Sequence, residues 1–421
     1  MGIKGLHGQL ATRDVELGSL RGKRLAIDGH GWLHRACCGC AEEVAEGSVT
    51  ERYADYVVDR VAALARAGIR CVLVFDGDRA PIKAKTNEER RRRRERCLRK
   101  AREVADLVAK NDDTDDGLRD LQRRCYAGAL EVTREMVVTT IRKVRDEVDE
   151  ARKKSSSSNF QRERYQREAA ILAECRCLVA PYESDAQLAA LCVVGACDGI
   201  LSEDSDVVAY LAAAEADFLV ASKWVDSRIS VFRFGHGPRS TANKSSVFGK
   251  QLRIFGDFNR SAPSLPEEKK PERKSETEFR EEEGGEKKKK SRSAGRMFVQ
   301  CCVLAGCDYV ENVANVGVVT AAKAVADAWS LDDDERLATV VGRLGKKFHV
   351  PDVYMDQVAA AELAFYFAPV FDGLDNAACV PFCSLFQTKN APAVDDDDDD
   401  GKKKKKLLKV LGAPVKPEAP Q

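Results

Sequence analysis

Seven acidic residues stand where a folding chain changes direction. Asp28 and Asp76 each close a short apolar run at an Asp-Gly step, Glu183 and Asp185 open a helical stretch, Asp204 and Asp206 follow another apolar run, and Asp308 follows a second helical stretch. In a parallel α/β sheet such positions gather outside the carboxyl ends of the strands, where the ligands of these folds bind. Carboxylates crowded there repel one another strongly because little water remains to screen them, so the pocket calls for cations. Their oxygens are hard ligands and His30 is the only histidine nearby, which points to Mg²⁺, with Mn²⁺ able to substitute, rather than to zinc. Two such ions ~4 Å apart activate a water and stabilise the leaving oxygen of a phosphodiester displaced in line. A lone Asp at an element end reads as turn or cap chemistry. Two acid-x-acid pairs joined by three further acids read as a metal cage.

The elements that must position these acids are legible around them. Arg24-Leu-Ala-Ile-Asp28 and Cys71-Val-Leu-Val-Phe-Asp76 read as buried parallel strands, and Tyr53 to Ala67 carries Val57, Val61 and Leu64 at helical spacing, as a crossover between them requires. From Asn87 to about Glu174 the chain is rich in Arg, Glu, Ala and Leu, with breaks at 111–117 and 155–159, and reads as a long helical excursion. The sheet pattern resumes at Cys177, continues through a helix over about 185–195 and returns at Gly199-Ile-Leu-Ser.

The net charge of +1 averages opposing blocks. Between Lys83 and Arg102 eleven Lys or Arg face three Glu, a positive patch sized for a polyanion. Residues 261–295, dominated by Pro, Glu, Lys and Ser, are expected to be a disordered insertion. The Asp and Lys blocks of 387–421 are expected to be a disordered charged tail. No apolar run approaches the ~20 residues of a membrane span. The fifteen cysteines show no paired CxxC knuckles and read as reduced, buried small hydrophobes.

The ordered series Met1-Gly-Ile-Lys-Gly-Leu6, Trp32-Leu-His34, Val74-Phe-Asp-Gly77, Val179-Ala-Pro-Tyr-Glu-Ser-Asp-Ala-Gln-Leu188, Ser202-Glu-Asp-Ser-Asp206 and Leu304-Ala-Gly-Cys-Asp-Tyr309 resembles the structure-specific 5′-nucleases of the flap endonuclease (XPG) family. The resemblance covers most of residues 1–386. Its Ala-Pro-Tyr-Glu, Glu-Asp-Ser-Asp and Gly-Cys-Asp-Tyr variants are closer to the exonuclease branch than to the flap-cleaving branch. It implies an α/β fold with a parallel-sheet PIN-like core, a helical arch over about 83–174 and a helix-two-turn-helix. The nuclease domain would run 1–386, with an N-terminal part over 1–100 and an internal part over about 175–240 and 296–386.

The same resemblance implies that Asp28, Asp76, Glu183, Asp185, Asp204, Asp206 and Asp308 hold the metals, the set that spacing had already assembled. It implies that Lys83 and Arg90, seven residues apart on the first helix of the excursion, reach the scissile phosphate. Arg91 and Arg92 are expected on DNA, the alternative for this run being a solvated basic face. Gly2 should approach the metals closely. His30 replaces a stacking Tyr, and His34 resembles a strand-separating wedge; a loop histidine and a packed helix histidine are the plainer readings. Residues 313–325, with Gly317 and Lys323, resemble the duplex-gripping turn that uses amides and a K⁺ ion. Asn315 replaces a glycine there, which leaves the potassium site open.

The expected function is Mg²⁺-dependent 5′ to 3′ hydrolysis of DNA, with 5′-flap endonuclease activity, on double-stranded DNA with 5′ ends, nicks, gaps or flaps. The setting would be mismatch repair, end resection or recombination. A replicative flap endonuclease, an RNA-processing relative and a non-catalytic DNA-structure binder are the alternatives. The resemblance implies a nuclear monomer, to which the lysine clusters 287–290 and 402–406 add an address signal. The short charged tail leaves mismatch-repair partners open.

Overall fold

A computed structural model describes residues 2–10, 12–110, 116–156, 163–216, 218–234, 293–375, 377–386, 391–392 and 411. Most of the expected insertion and tail, including both lysine clusters, lies outside these residues. The chain begins with β1 (Arg13–Glu16) and β2 (Arg24–Asp28), then α1 (Gly29–Cys38), α2 (Ala41–Ala45), α3 (Arg52–Ala67) and β3 (Arg70–Phe75). The excursion follows as α4 (Ala84–Lys110), α5 (Asp116–Ala129), α6 (Arg134–Ser156) and α7 (Glu163–Leu172). The chain then returns to the sheet through β4 (Arg176–Val179), α8 (Ser184–Val193), β5 (Gly199–Leu201), α9 (Asp206–Ala213), β6 (Phe218–Val225) and β7 (Arg228–Phe234). A helical layer, α10 (Ala294–Ala305), α11 (Val318–Ala326), α12 (Asp333–Gly345) and α13 (Tyr354–Phe367), and a short ribbon, β8 (Pro369–Phe371) with β9 (Cys379–Pro381), complete it.

The seven-stranded sheet has the order β1-β7-β6-β5-β2-β3-β4. The run from β6 to β4 is parallel, and β7 and β1 add an antiparallel edge. The central parallel strands β2, β3 and β5 are buried on both faces, as helical crossovers demand, while β4 at the edge stays partly exposed. In β2, Leu25 and Ile27 face the core beneath α1, α3 and α6, while Ala26 faces the opposite core of α8, α9 and α10. The crossover α3 ends where Gly68, at φ +81°, lets the Ile69 amide reach back to the Leu64 carbonyl at 2.9 Å.

The structure departs from the sequence reading in four places. Strand β1 and the β6–β7 hairpin are additional: Val15 is the one apolar residue of β1, so no alternation announces it. The excursion breaks a further time, at 130–133, between α5 and α6. Helix α10 starts inside the expected insertion, because Ser293 caps it by accepting from the Arg296 amide at 3.0 Å. Leu411, within the expected tail, is buried.

The second half of the excursion is part of the globule. Val144, Val148 and Ala151 of α6 and Ala169 and Leu172 of α7 join the core around α3. Lys143 also bridges to Asp55 at 2.6 Å and to Glu51 at 3.0 Å. The extra length of the excursion therefore packs against α3, while α4 and α5 pair with each other above the sheet edge. Among the described residues no helix is long and apolar enough to cross a membrane, and all fifteen cysteines are free.

Candidate active site

Adjacent strand ends build the site. Asp28 closes β2, and its Oδ1 accepts from the Gly31 amide at 2.7 Å, which caps α1. Asp76 follows β3 and accepts from the Ser184 amide at 2.9 Å, so the start of α8 is tied to the neighbouring strand. Gly77 makes that junction possible. Its amide donates to the Tyr182 carbonyl at 2.7 Å, and a Cβ there would sit 1.9 Å from the Ala180 carbonyl oxygen. Glu183 occupies the N-cap of α8 without capping it, which leaves its carboxylate to the pocket. After β5, Ser202 donates to Asp28 at 3.2 Å and accepts the Asp204 amide at 3.0 Å, and Asp204 in turn accepts the Asp206 amide at 3.1 Å. The N-terminus folds onto the same place: at Gly2, φ +82°, a Cβ would lie 2.1 Å from Asp204 Oδ1.

Burial and mutual repulsion show in the acids. Burial first, with Asp76 and Asp204 adding to it, pushes Asp28 up to about 6. Burial, then the Asp204 charge, holds Asp185 and Asp206 well above the usual carboxylate range. Glu183 is raised by burial although Lys83 opposes the shift. Asp76 is lowered against its burial by His30 and the Ser184 contacts, and Asp308 is lowered against its burial by Lys83 and Arg90. These couplings join all seven expected acids in one electrostatic cluster.

Two cations enter from the base of the excursion. Lys83 Nζ lies 2.6 Å from Glu183 Oε2 and 3.2 Å from Asp308 Oδ2, and Arg90 Nη2 donates to both oxygens of Asp308 at 2.7 and 2.8 Å. Burial disfavours the charge on Lys83, but Glu183, Asp308 and Asp206 outweigh it and hold the ammonium protonated. One expectation is corrected here. Lys83 ends a 3-10 turn, Pro81–Lys83, and α4 begins only at Ala84. The two residues meet on Asp308 because that turn leads directly into α4.

A cleft of about 2610 Å³ runs from Asp76, Glu183 and Asp308 past His30 and His34 to α6. Its basic lining takes in only part of the arginine run. Arg91 pairs with Glu88 and Glu95, Arg92 pairs with Glu88, and neither lines the cleft. Arg90, Arg93 and Arg94 do, since positions three and four apart share a helix face. Arg79, Arg134, Arg142 and Arg145 also line it and were missed. For the last three the signal available was their spacing along α6, eight and then three residues apart, which places them towards one side of a helix. Glu131 spans the cleft mouth, 2.6 Å from Arg79 and 2.9 Å from Arg94.

His30 sits in α1 rather than in a loop, with Nε2 3.6 Å from Asp76 Oδ2. His34, half-buried one turn later, has its pKa lowered by burial, then by His30 and Arg94. Asn315 adopts φ +66°, the left-handed geometry that asparagine tolerates better than most residues. Gly317 is extended at φ −90°, so the turn does not require a glycine there. The Asn312 amide closes the turn onto the Val313 and Val316 carbonyls at 3.1 and 3.0 Å. Gly317 and Lys323 are exposed, at the N-cap and in the last turn of α11. The start of α11 packs against the N-terminal segment, since a Cβ on Gly5 would touch Val318 at 3.4 Å.

A hard divalent cation fits the residues present. Asp185, Asp204 and Asp206 each offer an oxygen within 4.8 Å of the others, and Asp206 Oδ1 is buried without a hydrogen-bond partner. A consequence can be measured by melting. Asp28 has a folded pKa of about 6 against 3.8 for the free group, so its contribution to stability is present below 3.8 and lost as pH rises through about 6. The metal-free protein is therefore expected to melt lower at pH 7.5 than at pH 5.5. Mg²⁺ in about hundredfold excess over its Kd should restore ~2.7 kcal/mol at the higher pH. A Tm indifferent to Mg²⁺ at pH 7.5 would count against the cage.

Residues 1–97 match the XPG N-terminal domain and residues 174–232 match the XPG I-region. The chain is 28% identical over 374 residues to exodeoxyribonuclease 1 of Saccharomyces cerevisiae, spanning 88% of this chain and 41% of that protein. It is 25% identical over 383 residues to exonuclease 1 of Xenopus laevis, spanning 89% and 40%. It is 28% identical over 378 residues to the DNA damage-inducible protein DIN7 of Saccharomyces cerevisiae, spanning 89% and 68%. The chain thus spans about two fifths of the length of the two exonucleases. Among solved structures, flap endonuclease-1 from Methanococcus jannaschii overlaps 97% of this chain and 98% of its own, with TM-score 0.44 and 16% identity. At that score the overlap is loose. The chain thus carries, in chain order, regions that match an XPG N-terminal domain and an XPG I-region, and each supplies acids to one pocket.

Proposed function

We propose that this protein is a Mg²⁺-dependent, structure-specific nuclease that hydrolyses DNA from 5′ ends, nicks and gaps in the 5′ to 3′ direction and also cuts 5′ flaps, in DNA repair. The observation that carries this is the meeting, at one sheet edge, of a seven-acid cluster with two buried-facing cations, Lys83 and Arg90, on the shared carboxylate Asp308. The names of the exonuclease relatives favour the exonuclease branch. Nuclear location and a monomeric state belong to the same proposal.

When bound, Mg²⁺ would supply a nucleophile at neutral pH and a counter-charge for the leaving oxygen. Asp185, Asp204 and Asp206 would hold it, with Asp28, Asp76, Glu183 and Asp308 around them. The chain's own contribution is preorganisation. Lys83 and Arg90 place fixed positive charge where charge on the phosphoryl oxygens grows. The hydrogen bonds from Gly31, Ser184 and Ser202 hold Asp28 and Asp76 in register. Arg93 and Arg94 extend the positive track along the cleft, where phosphate contacts position DNA without reading its sequence.

The test is hydrolysis of an end-labelled 5′-recessed duplex beside a labelled 5′ flap and matched RNA, with and without Mg²⁺. Mononucleotides from the recessed DNA in Mg²⁺ alone are expected. Absence of hydrolysis on every DNA substrate would overturn the reading, and preference for RNA would move it to another substrate. The cleft also predicts a contrast within the arginine run. Arg93→Ala and Arg94→Ala should each lower the salt dependence of DNA binding by about one phosphate contact. Arg91→Ala and Arg92→Ala, which lose only exposed pairs along one helix, should scarcely change stability and leave that slope unchanged.

A further inference from the structure

Lys83 keeps company with more than carboxylates. Its ammonium lies over the ring of Tyr309, 5.2 Å from the centroid. That ring is itself fixed from two sides. The Tyr309 hydroxyl meets the Tyr210 hydroxyl at 2.5 Å, and the ring packs edge-on against Phe365 at 5.2 Å. Tyr210 in turn packs edge-on against Phe365 at 5.0 Å and Phe382 at 5.6 Å, and Tyr210, Phe365 and Phe382 are wholly buried. Four rings, from α9, α13, the loop after α10 and the 3-10 turn after β9, thus form a rigid aromatic floor below Lys83, a residue only 5% exposed.

The chemistry of the two kinds of partner differs. Glu183 and Asp308 belong to the acid cluster, and any divalent ion bound there competes with Lys83 for their oxygens. A hard cation takes oxygen ligands and has no use for the face of a phenol ring, whereas an ammonium is attracted to the negative face of an aromatic quadrupole. The ring can therefore hold Lys83 in place while the carboxylates serve a metal.

We infer that Tyr309, braced by Tyr210 and Phe365, is a positioning residue that holds the Lys83 ammonium toward the scissile phosphate when metal has claimed its carboxylate partners. This deepens the nuclease reading and rests on it.

The test is a double-mutant cycle in single-turnover hydrolysis of the 5′-recessed duplex in Mg²⁺, with folding checked by Tm. Tyr309→Leu is expected to lower the rate about tenfold, while Tyr309→Phe, which keeps the ring, stays within about threefold of wild type. In a Lys83→Ala background Tyr309→Leu should have no further effect, because the ring acts through Lys83. Full additivity would overturn the inference. If Tyr309→Leu does not fold, a phenylalanine of increasing fluorination at 309 preserves shape while draining the ring's negative face. A graded rate loss is then expected, and a flat series would overturn the inference. A second readout does not depend on activity. Lys83 acylation by an amine-reactive ester, followed by mass spectrometry in Mg²⁺, should be faster in Tyr309→Leu than in Tyr309→Phe. Equal labelling refutes the positioning role even if the wild type hydrolyses nothing, so the two readings fail separately.

Discussion

Asp204→Asn is expected to abolish most Mg²⁺-dependent hydrolysis, by about a thousandfold or more, while leaving the protein at least as thermostable as wild type without metal. The first half follows from ligand chemistry. Asp204 lies in the triad whose oxygens converge within 4.8 Å, and an amide is a much weaker ligand for a hard cation than a carboxylate. Losing several kcal/mol of charge stabilisation in the transition state corresponds to a rate loss of about that size. The second half follows from repulsion. Asp204 raises the pKa of Asp28, Asp185 and Asp206, so neutralising it relieves three buried neighbours. Asparagine keeps the Oδ1 acceptor for the Asp206 amide, so the turn is preserved. Function and stability thus trade against each other at this position. Rates on the 5′-recessed duplex and melting in a chelator measure the two halves. Undiminished hydrolysis would remove Asp204 from the cage, and a large fall in metal-free Tm would mean that its role is architectural.

Lys83→Ala is expected to move both quantities downward. Its ammonium is buried between Glu183 and Asp308, so its loss leaves two carboxylates short of a partner in a place with little water. Metal-free Tm should fall, and Mg²⁺ should recover part of it. The rate should fall about 10²- to 10³-fold, the usual effect of removing one preorganised charge from a reacting phosphate. The loss is expected in kcat rather than KM if Lys83 acts only as charge develops. Arg90→Ala should cost less stability, because Arg90 is partly exposed. The double variant should lose less than the product of the single losses, since both cations share Asp308. A Lys83→Ala enzyme with wild-type kcat would exclude Lys83 from the chemistry, whatever its effect on Tm.

The opposite signs of these two stability effects are a stronger check than either rate. A site that is merely polar would lose stability on either substitution. A cage of acids held together by entering cations gains from losing an acid and suffers from losing a cation.

Much of the site is legible in the sequence. Asp28 and Asp76 end continuous apolar runs that only a doubly covered parallel strand explains, and β2 and β3 are such strands. Glu183-x-Asp185 and Asp204-x-Asp206 mark element starts, and α8 and α9 begin there. Local pattern sufficed because strand ends and helix starts are set by neighbours in the sequence. Gly2 was legible through resemblance, and the space around it shows the physical need: a side chain would collide with Asp204.

Other features depend on contacts between distant segments. Arg91 and Arg92 look no different from Arg93 and Arg94 in a run of five arginines. Only the direction in which α4 lies across the sheet edge decides which of them face the cleft. β1 carries a single apolar residue and is a strand only because β7 offers it an edge. The pairing of Tyr309 with Tyr210, 99 residues away, has no sequence signature at all. By itself the sequence determined which residue types could bind a hard cation and where elements begin and end, because those properties reside in composition and short-range spacing. The tertiary structure alone decided which charges face one another across the cleft and what holds Lys83, because these are set by how helices pack against the strand ends, through contacts that no local pattern encodes.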